Sequence, residues 1–111
     1  KQVVNKSKSK VAIIQAIDRK LPLEDLAASL KIDMDALLRE MDMIVSSGTK
    51  LDINYYLNDT LDDAVVEDIF EYFKEADSDS VEDAFKELEE DDFTLDEVQL
   101  VKIKFLSELA N

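Results

Sequence analysis

The sequence predicts a mostly α-helical domain, with a helix-turn-helix, winged-helix-like first half followed by a three-helix cap. Three observations lead to this prediction. The 111 residues include one Gly and one Pro, which leaves little room for irregular loops. Apolar residues recur at helical spacing over most of the chain. Three segments join a hydroxyl side chain, an apolar residue and two acids, which is the composition of a helix start: residues 60–63, 80–83 and 94–97.

The first ten residues are predicted to be a linker from a preceding domain. They carry four Lys and no acid, so an alternative is an arm that contacts phosphates. Because the chain begins with Lys rather than Met, we expect it to be part of a longer protein. A first helix should start near Ser7 or Ser9 and end near Arg19. Its buried side is expected to comprise Val11, Ile14 and Ile17, with Ile13 at the margin.

The next two helices form a helix-turn-helix pattern. The first should bury one face, Leu23, Leu26, Ala27 and Leu30. Lys31 stands where this corner usually has Gly, so the turn must be made with a less permissive residue. Asp33 can cap the second helix. That helix should bury Leu37, Leu38, Met41, Ile44 and Val45, and should expose Asp35, Arg39, Glu40, Asp42 and Ser46.

A strand is predicted after the second helix of the pair. Gly48 occupies the position of a left-handed helix cap, and residues 51–57 then alternate between apolar and polar side chains, the period of a half-buried strand. Helix, turn, helix and strand follow the order of a winged-helix domain. Residues 11–57 are therefore predicted to be a helix-turn-helix with a short wing-like strand.

Residues 58–111 are predicted to be an acidic helical cap packed on that unit. Its helices should span about 61–76, 81–89 and 95–109. The last helix is apolar on more than one side, with Leu100 and Ile103 on a second flank, so it is expected to lie centrally in the domain.

Charge divides the chain into two parts. Residues 1–57 hold nine Lys or Arg against eight Asp or Glu, whereas residues 58–111 hold four against nineteen. The net charges are therefore +1 and −15. Because binding to nucleic acid depends mostly on cations that neutralise phosphates, only the first part should approach DNA. The candidate contacts are Lys6, Lys8, Lys10, Arg39 and Lys50.

The composition excludes most catalytic chemistry. Without His or Cys, the common nucleophile–base pairs and zinc sites are absent, and one Gly cannot build a phosphate-binding loop. Asp77 and Asp79 resemble the start of a calcium loop, but Glu82 stands where that loop needs Gly. No apolar run is long enough to cross a membrane. We expect no catalytic residue, metal or cofactor in this chain, and no membrane contact.

Residues 23–44, 51–57 and 65–101 together resemble the C-terminal helix-turn-helix domain of some bacterial RecQ-type ATP-dependent DNA helicases. One departure is Gln99, followed by Lys102 and Lys104, where such proteins often have Arg. The resemblance implies an accessory domain of an enzyme of DNA repair and recombination in the bacterial cytoplasm, associated with the nucleoid. It also implies that ATP, magnesium and zinc are bound by domains upstream.

Two functions remain open at this point. One is weak anchoring to the backbone of single-stranded or forked DNA. Sequence-specific reading is not expected, because the exposed side of the second helix presents one cation against three acids. The other is contact with the helicase core or another basic protein partner through the acidic part, with steering that weakens as salt rises. An alternative to both is a free-standing winged-helix module that binds nucleic acid or acts in transcription.

Overall fold

The computed structural model describes residues 6–78, 80–88 and 93–109, with side chains from residue 9 onward. Over this part of the chain there are seven helices and no strand, which confirms the mostly α fold class. The helices are α1 (Lys6–Asp18), α2 (Leu23–Leu30), α3 (Met34–Ser46), α4 (Asn54–Thr60), α5 (Asp63–Glu75), α6 (Val81–Glu87) and α7 (Leu95–Leu109).

The helices α1 to α3 each end in the same backbone motif. After each helix, one residue takes a left-handed conformation, and two backbone N–H groups close back on the last turn. The left-handed residues are Lys20 and Lys31, each at φ 61°, and Gly48 at φ 103°. The predicted roles of Gly48 and Lys31 are therefore confirmed. Two of the three corners are made by Lys, which has a steric cost that Gly avoids.

The first hydrophobic core joins α1, α2, α3 and α4 with one face of α7. The expected apolar faces of α2 and α3 are buried in it, except that Leu30 is only partly buried. In α1 the buried residues are Ile13, Ala16 and Ile17, whereas Val11 is 51% exposed. The predicted face of α1 was therefore wrong by part of a turn. This rotation buries Ile13 and Ala16 in the first core and leaves Val11 in water.

The predicted strand at residues 51–57 is wrong. Leu51 and Ile53 are buried in an extended segment, but α4 begins at Asn54. The backbone of Leu51 finds its partner in a side chain of α7: its N–H donates to Ser107 Oγ at 2.9 Å, and that hydroxyl donates to its carbonyl at 3.0 Å. Because the backbone N–H and carbonyl of Leu51 are both hydrogen-bonded to Ser107, this residue does not require the partner that a neighbouring strand would supply. The described residues contain no wing.

A second core holds α5 and α6 against the other face of α7. Its buried residues are Ile69, Phe73, Val81, Ala84, Leu88, Val98 and Val101. Phe105 lies at its edge, stacked on Phe73 with ring centroids 5.7 Å apart and edge-on to Phe70 at 5.5 Å. Because Leu100 and Ile103 belong to the first core and Val98 and Val101 to the second, α7 lies between the two. Its predicted central position is confirmed.

Two of the three predicted helix starts cap as expected. The Ser80 hydroxyl accepts from the Asp83 N–H, and Thr94 and Glu97 form a reciprocal capping box. At residues 60–63 the predicted helix start is confirmed, but the predicted Thr60 cap is wrong. The Thr60 hydroxyl bonds back to the Tyr56 carbonyl in the last turn of α4, and α5 begins at Asp63. The Thr hydroxyl here satisfies the end of one helix rather than the start of the next.

Candidate nucleic-acid interface

The outer face of α3 is the surface that a DNA-binding helix-turn-helix would place in the major groove. It comprises the exposed residues Asp35, Arg39, Met43 and Ser46. Arg39 donates to Asp35 at 3.1 Å, one turn away, and both side chains are more than half exposed. The cation of this face is thus already paired with an acid, and Met43, 50% exposed, lies beside it. The face has little positive potential to offer a phosphate.

Asp42 was predicted to lie on the exposed face, but the structure places it against α7. One of its carboxylate oxygens lies 3.0 Å from Lys102 Nζ, and the other accepts from the Ser46 hydroxyl at 3.1 Å. The side chain of Lys102 is 11% exposed and that of Asp42 is 18% exposed. An ion pair at this depth holds α7 along the flank of α3. The sequence signal for it was weak: a Lys inside the apolar run 100–103.

The structure does not gather the predicted cations into one patch. Lys6 and Lys8 lie in the first turns of α1, but their side chains are outside the described residues. Lys10 is half-buried on α1, and Arg39 faces a cleft formed with the starts of α6 and α7. Lys50 is exposed at the other end of α7, beside Ser107. These positions are spread over different sides of the domain.

Two tyrosines of α4 form hydrogen bonds with residues at the start of the helix-turn-helix. Tyr55 donates to the Leu21 carbonyl, and Tyr56 donates to the Glu24 carboxylate. Burial raises the pKa of Tyr56 well above its ordinary value, and the bond to Glu24 raises that pKa further. Burial also raises the pKa of Tyr55, with a smaller effect from Asp52. Both hydroxyls therefore stay protonated as hydrogen-bond donors at physiological pH.

Acidic side chains dominate the surface of α5 and α6. Exposed carboxylates follow one another along α5 at Asp63, Glu67, Asp68, Glu71 and Glu75. Lys74 pairs with Glu71 at 3.2 Å, but the pair is about half exposed and screened by water. No group of three or more acidic side chains in the described residues is arranged to hold a metal ion. This surface repels phosphate and attracts cationic groups.

No helix in the described part of the chain is sufficiently long and apolar to cross a bilayer.

A comparison with protein families matches residues 7–57 to the RecQ-1-like helix-turn-helix domain. The match covers α1, α2 and α3 and continues into α4. No curated protein matches the chain. The family match agrees with the resemblance found in the sequence, and the non-catalytic nature of such a domain agrees with the absence of His and Cys. Residues 7–57 of this chain are thus similar to the RecQ-1-like helix-turn-helix domain family.

Proposed function

We propose that this chain is an accessory domain of a RecQ-type DNA helicase and that it acts mainly through protein or intramolecular contacts. The family match supports the helicase context. DNA repair and recombination, in the bacterial cytoplasm and near the nucleoid, is the process in which such a helicase would act. The resemblance to such helicases implies that ATP, magnesium and zinc would be bound by upstream domains.

The observation that carries this proposal is the pairing of the charges on α3. Asp42 is engaged by Lys102 and Arg39 by Asp35, so α3 presents neither a free flank nor a basic face. A recognition helix in the major groove needs donors directed at base edges and cations near the phosphates. Here the flank of α3 is covered by α7. Base reading by this helix is therefore disfavoured.

Weak anchoring to DNA remains compatible with the basic start of the chain. Lys6, Lys8 and Lys10 follow one another in α1, far in sequence from the acidic part. Each phosphate contact to a single strand would steepen the dependence of affinity on salt by about 0.7 in the logarithmic slope. Such contacts would hold DNA without reading its sequence.

DNA binding is tested by fluorescence anisotropy with labelled single-stranded and forked DNA across a salt series. The double variant Lys8→Glu/Lys10→Glu should abolish the binding that exists at low salt. Its matched control is Lys74→Glu/Lys86→Glu, which makes the same change of net charge in the acidic part. Equal losses in the two variants would show a general charge effect and would contradict anchoring through α1.

The contact with the helicase core is tested with the full-length protein. We expect deletion of this domain to change the ATPase or unwinding rate, and we expect the effect to weaken as salt rises, since an acidic surface would dock on a basic one. Identical ATPase and unwinding behaviour with and without the domain would contradict an intramolecular role. A free-standing winged-helix module is not supported, because the wing it requires is absent from the described residues.

A further inference from the structure

A groove with an apolar floor and an acidic rim runs between α4, α5 and α7. Its volume is about 320 Å³. Leu57 is buried at its base, and Val66 and Phe70 are half-buried along its side. Leu57 is 1% exposed, so the apolar surface that the groove offers to solvent comes from Val66 and Phe70 and is small.

Carboxylates border the groove on two sides. Asp63, Glu67 and Glu71 follow at intervals of one helical turn along α5, so they are spaced by about 6 Å. Glu108 lies across from them on α7. In the described residues, Asp63 and Glu67 have no ion-pair partner. The rim on α5 therefore presents the negative charge of Asp63 and Glu67 beside the apolar floor, with Glu71 paired to Lys74 at its end.

Among the described residues that line this groove, Lys104 carries the positive charge, and three contacts fix the position of its ammonium group. Its Nζ lies 2.6 Å from Glu108, 2.9 Å from the side-chain oxygen of Asn54 and 5.5 Å from the centre of the Phe70 ring. The ammonium over the Phe70 ring shows that this floor already accommodates one positive group. Lys104 pairs with Glu108 and Lys74 pairs with Glu71, so the negative charge of the α5 rim comes mainly from Asp63 and Glu67.

We propose that this groove docks a basic amphipathic helix of a protein partner. Lys or Arg at every fourth position of that helix would face the carboxylates of α5. Apolar side chains on the adjacent stripe would enter the groove beside Val66, since the Lys104 ammonium already lies over the Phe70 ring. An amphipathic helix in an apolar groove is a common mode of recognition. This docking rests on the proposed function for one point only, that the partner is a protein. The binding surface and the chemistry of the partner come from the groove itself.

The probe is a labelled alanine-based peptide of about fifteen residues, long enough to be partly helical in water. It carries lysine at every fourth position and leucine three residues after each lysine. A second peptide has glutamine in place of each leucine and keeps the charge. Anisotropy titrations with the whole 111-residue chain should show at least about tenfold tighter binding of the leucine peptide.

Two charge-reversal variants locate the binding. Glu67→Lys/Glu71→Lys changes the rim of the groove, and Asp68→Lys/Glu75→Lys makes the same change of net charge at exposed positions of α5 outside it. The rim variant should weaken binding of the leucine peptide by about tenfold or more, and the control by less than about threefold. All four positions are exposed, so circular dichroism should show both variants folded.

Three results would overturn the proposal. Equal binding of the two peptides would show that the apolar floor contributes nothing. Equal losses in the two variants would show attraction to the net charge of the chain alone. A concentration-dependent dimer in sedimentation, abolished by Glu67→Lys/Glu71→Lys, would show that a second copy occupies the groove. Any of these results would refute the docking of a basic helix in this groove. If deletion of the domain still alters the ATPase rate, the proposed function is retained.

Discussion

The ion pair between Asp42 and Lys102 gives the sharpest test of how α7 is held against the helix-turn-helix. Both side chains are at least four-fifths buried and lie 3.0 Å apart. Removal of one partner from a fully buried pair costs about 3–5 kcal/mol, because the remaining charge is left without compensation. Since this pair keeps some contact with water, we expect Asp42→Ala to lower the free energy of unfolding by about 2–3 kcal/mol.

Replacement of the other partner should cost less. Lys102→Met keeps the apolar stem packed, and Asp42 would still accept from the Ser46 hydroxyl. We expect a loss of about 1–2 kcal/mol for this variant. The double variant should be more stable than the sum of the single losses predicts, by a coupling energy of about 1–2 kcal/mol. Lys102→Met should cost less than Asp42→Ala because Asp42 keeps its hydrogen bond from Ser46 when Lys102 is replaced.

Urea unfolding with linear extrapolation measures all four proteins of this double-mutant cycle. The matched control is the cycle for Asp35 and Arg39, which make a similar contact at 3.1 Å with side chains 55% and 66% exposed. Its coupling energy should be about 0.3–0.5 kcal/mol and should fall in high salt. If the coupling of Asp42 with Lys102 is no larger than this control, the ion pair does not help to hold α7 and our reasoning is wrong.

Three further changes test other parts of the fold. Ser107→Ala leaves the backbone groups of Leu51 unsatisfied and should cost about 1–3 kcal/mol in urea unfolding; a cost as small as that of Ser29→Ala on exposed α2 would contradict this. Lys31→Gly removes the strain of a positive φ and should stabilise the domain by about 0.5–1 kcal/mol; a lower thermal midpoint would refute it. The raised pKa of Tyr56 means that the folded state holds its proton more tightly than the unfolded chain, where the pKa is about 10. This stabilisation is complete below pH 10 and is lost as pH rises through the higher pKa of the folded state. Tyr56→Phe should therefore flatten the alkaline loss of stability, and an unchanged profile would argue against the burial of this hydroxyl.

The sequence predicted the helix ends that are determined by residues close to them in the chain. The bounds of α7 follow from the capping box of Thr94 with Glu97 and from its apolar spacing, and both are visible in the sequence. The corner at Lys31 and the cap at Gly48 were predicted for the same reason. Each signal lies within a few residues of the feature that it determines.

Two of the errors occurred where a distant residue decides between two local patterns. Residues 51–57 fit an alternating strand, but Ile53, Tyr56 and Leu57 also have the spacing of a helix. Ser107, more than fifty residues away, satisfies the extended part and leaves the remainder free to form α4. In the same way, Asp42 has the local pattern of an exposed residue until Lys102 lies against it. No spacing rule within the helix-turn-helix carries this information.

The division of charge in the sequence does not coincide with the division of the fold. The sequence changes from nearly neutral to strongly acidic after residue 57, where the family match also ends. Yet α7, from the acidic part, supplies Leu100 and Ile103 to the core of the helix-turn-helix. Lys102 and Lys104, two of the four cations in that part, are engaged with Asp42 and Asn54 of the first part.

This placement of the two lysines has an electrostatic consequence. They are used to join the halves of the domain and are withdrawn from the surfaces of α5 and α6, where exposed Lys74 and Lys86 remain among many carboxylates. The packing of α7 between the two cores thus also leaves the exposed surfaces of α5 and α6 with an excess of negative charge. Because like charges repel and opposite charges attract, the proposed function expects that side to bind a basic protein surface and to avoid a phosphate backbone.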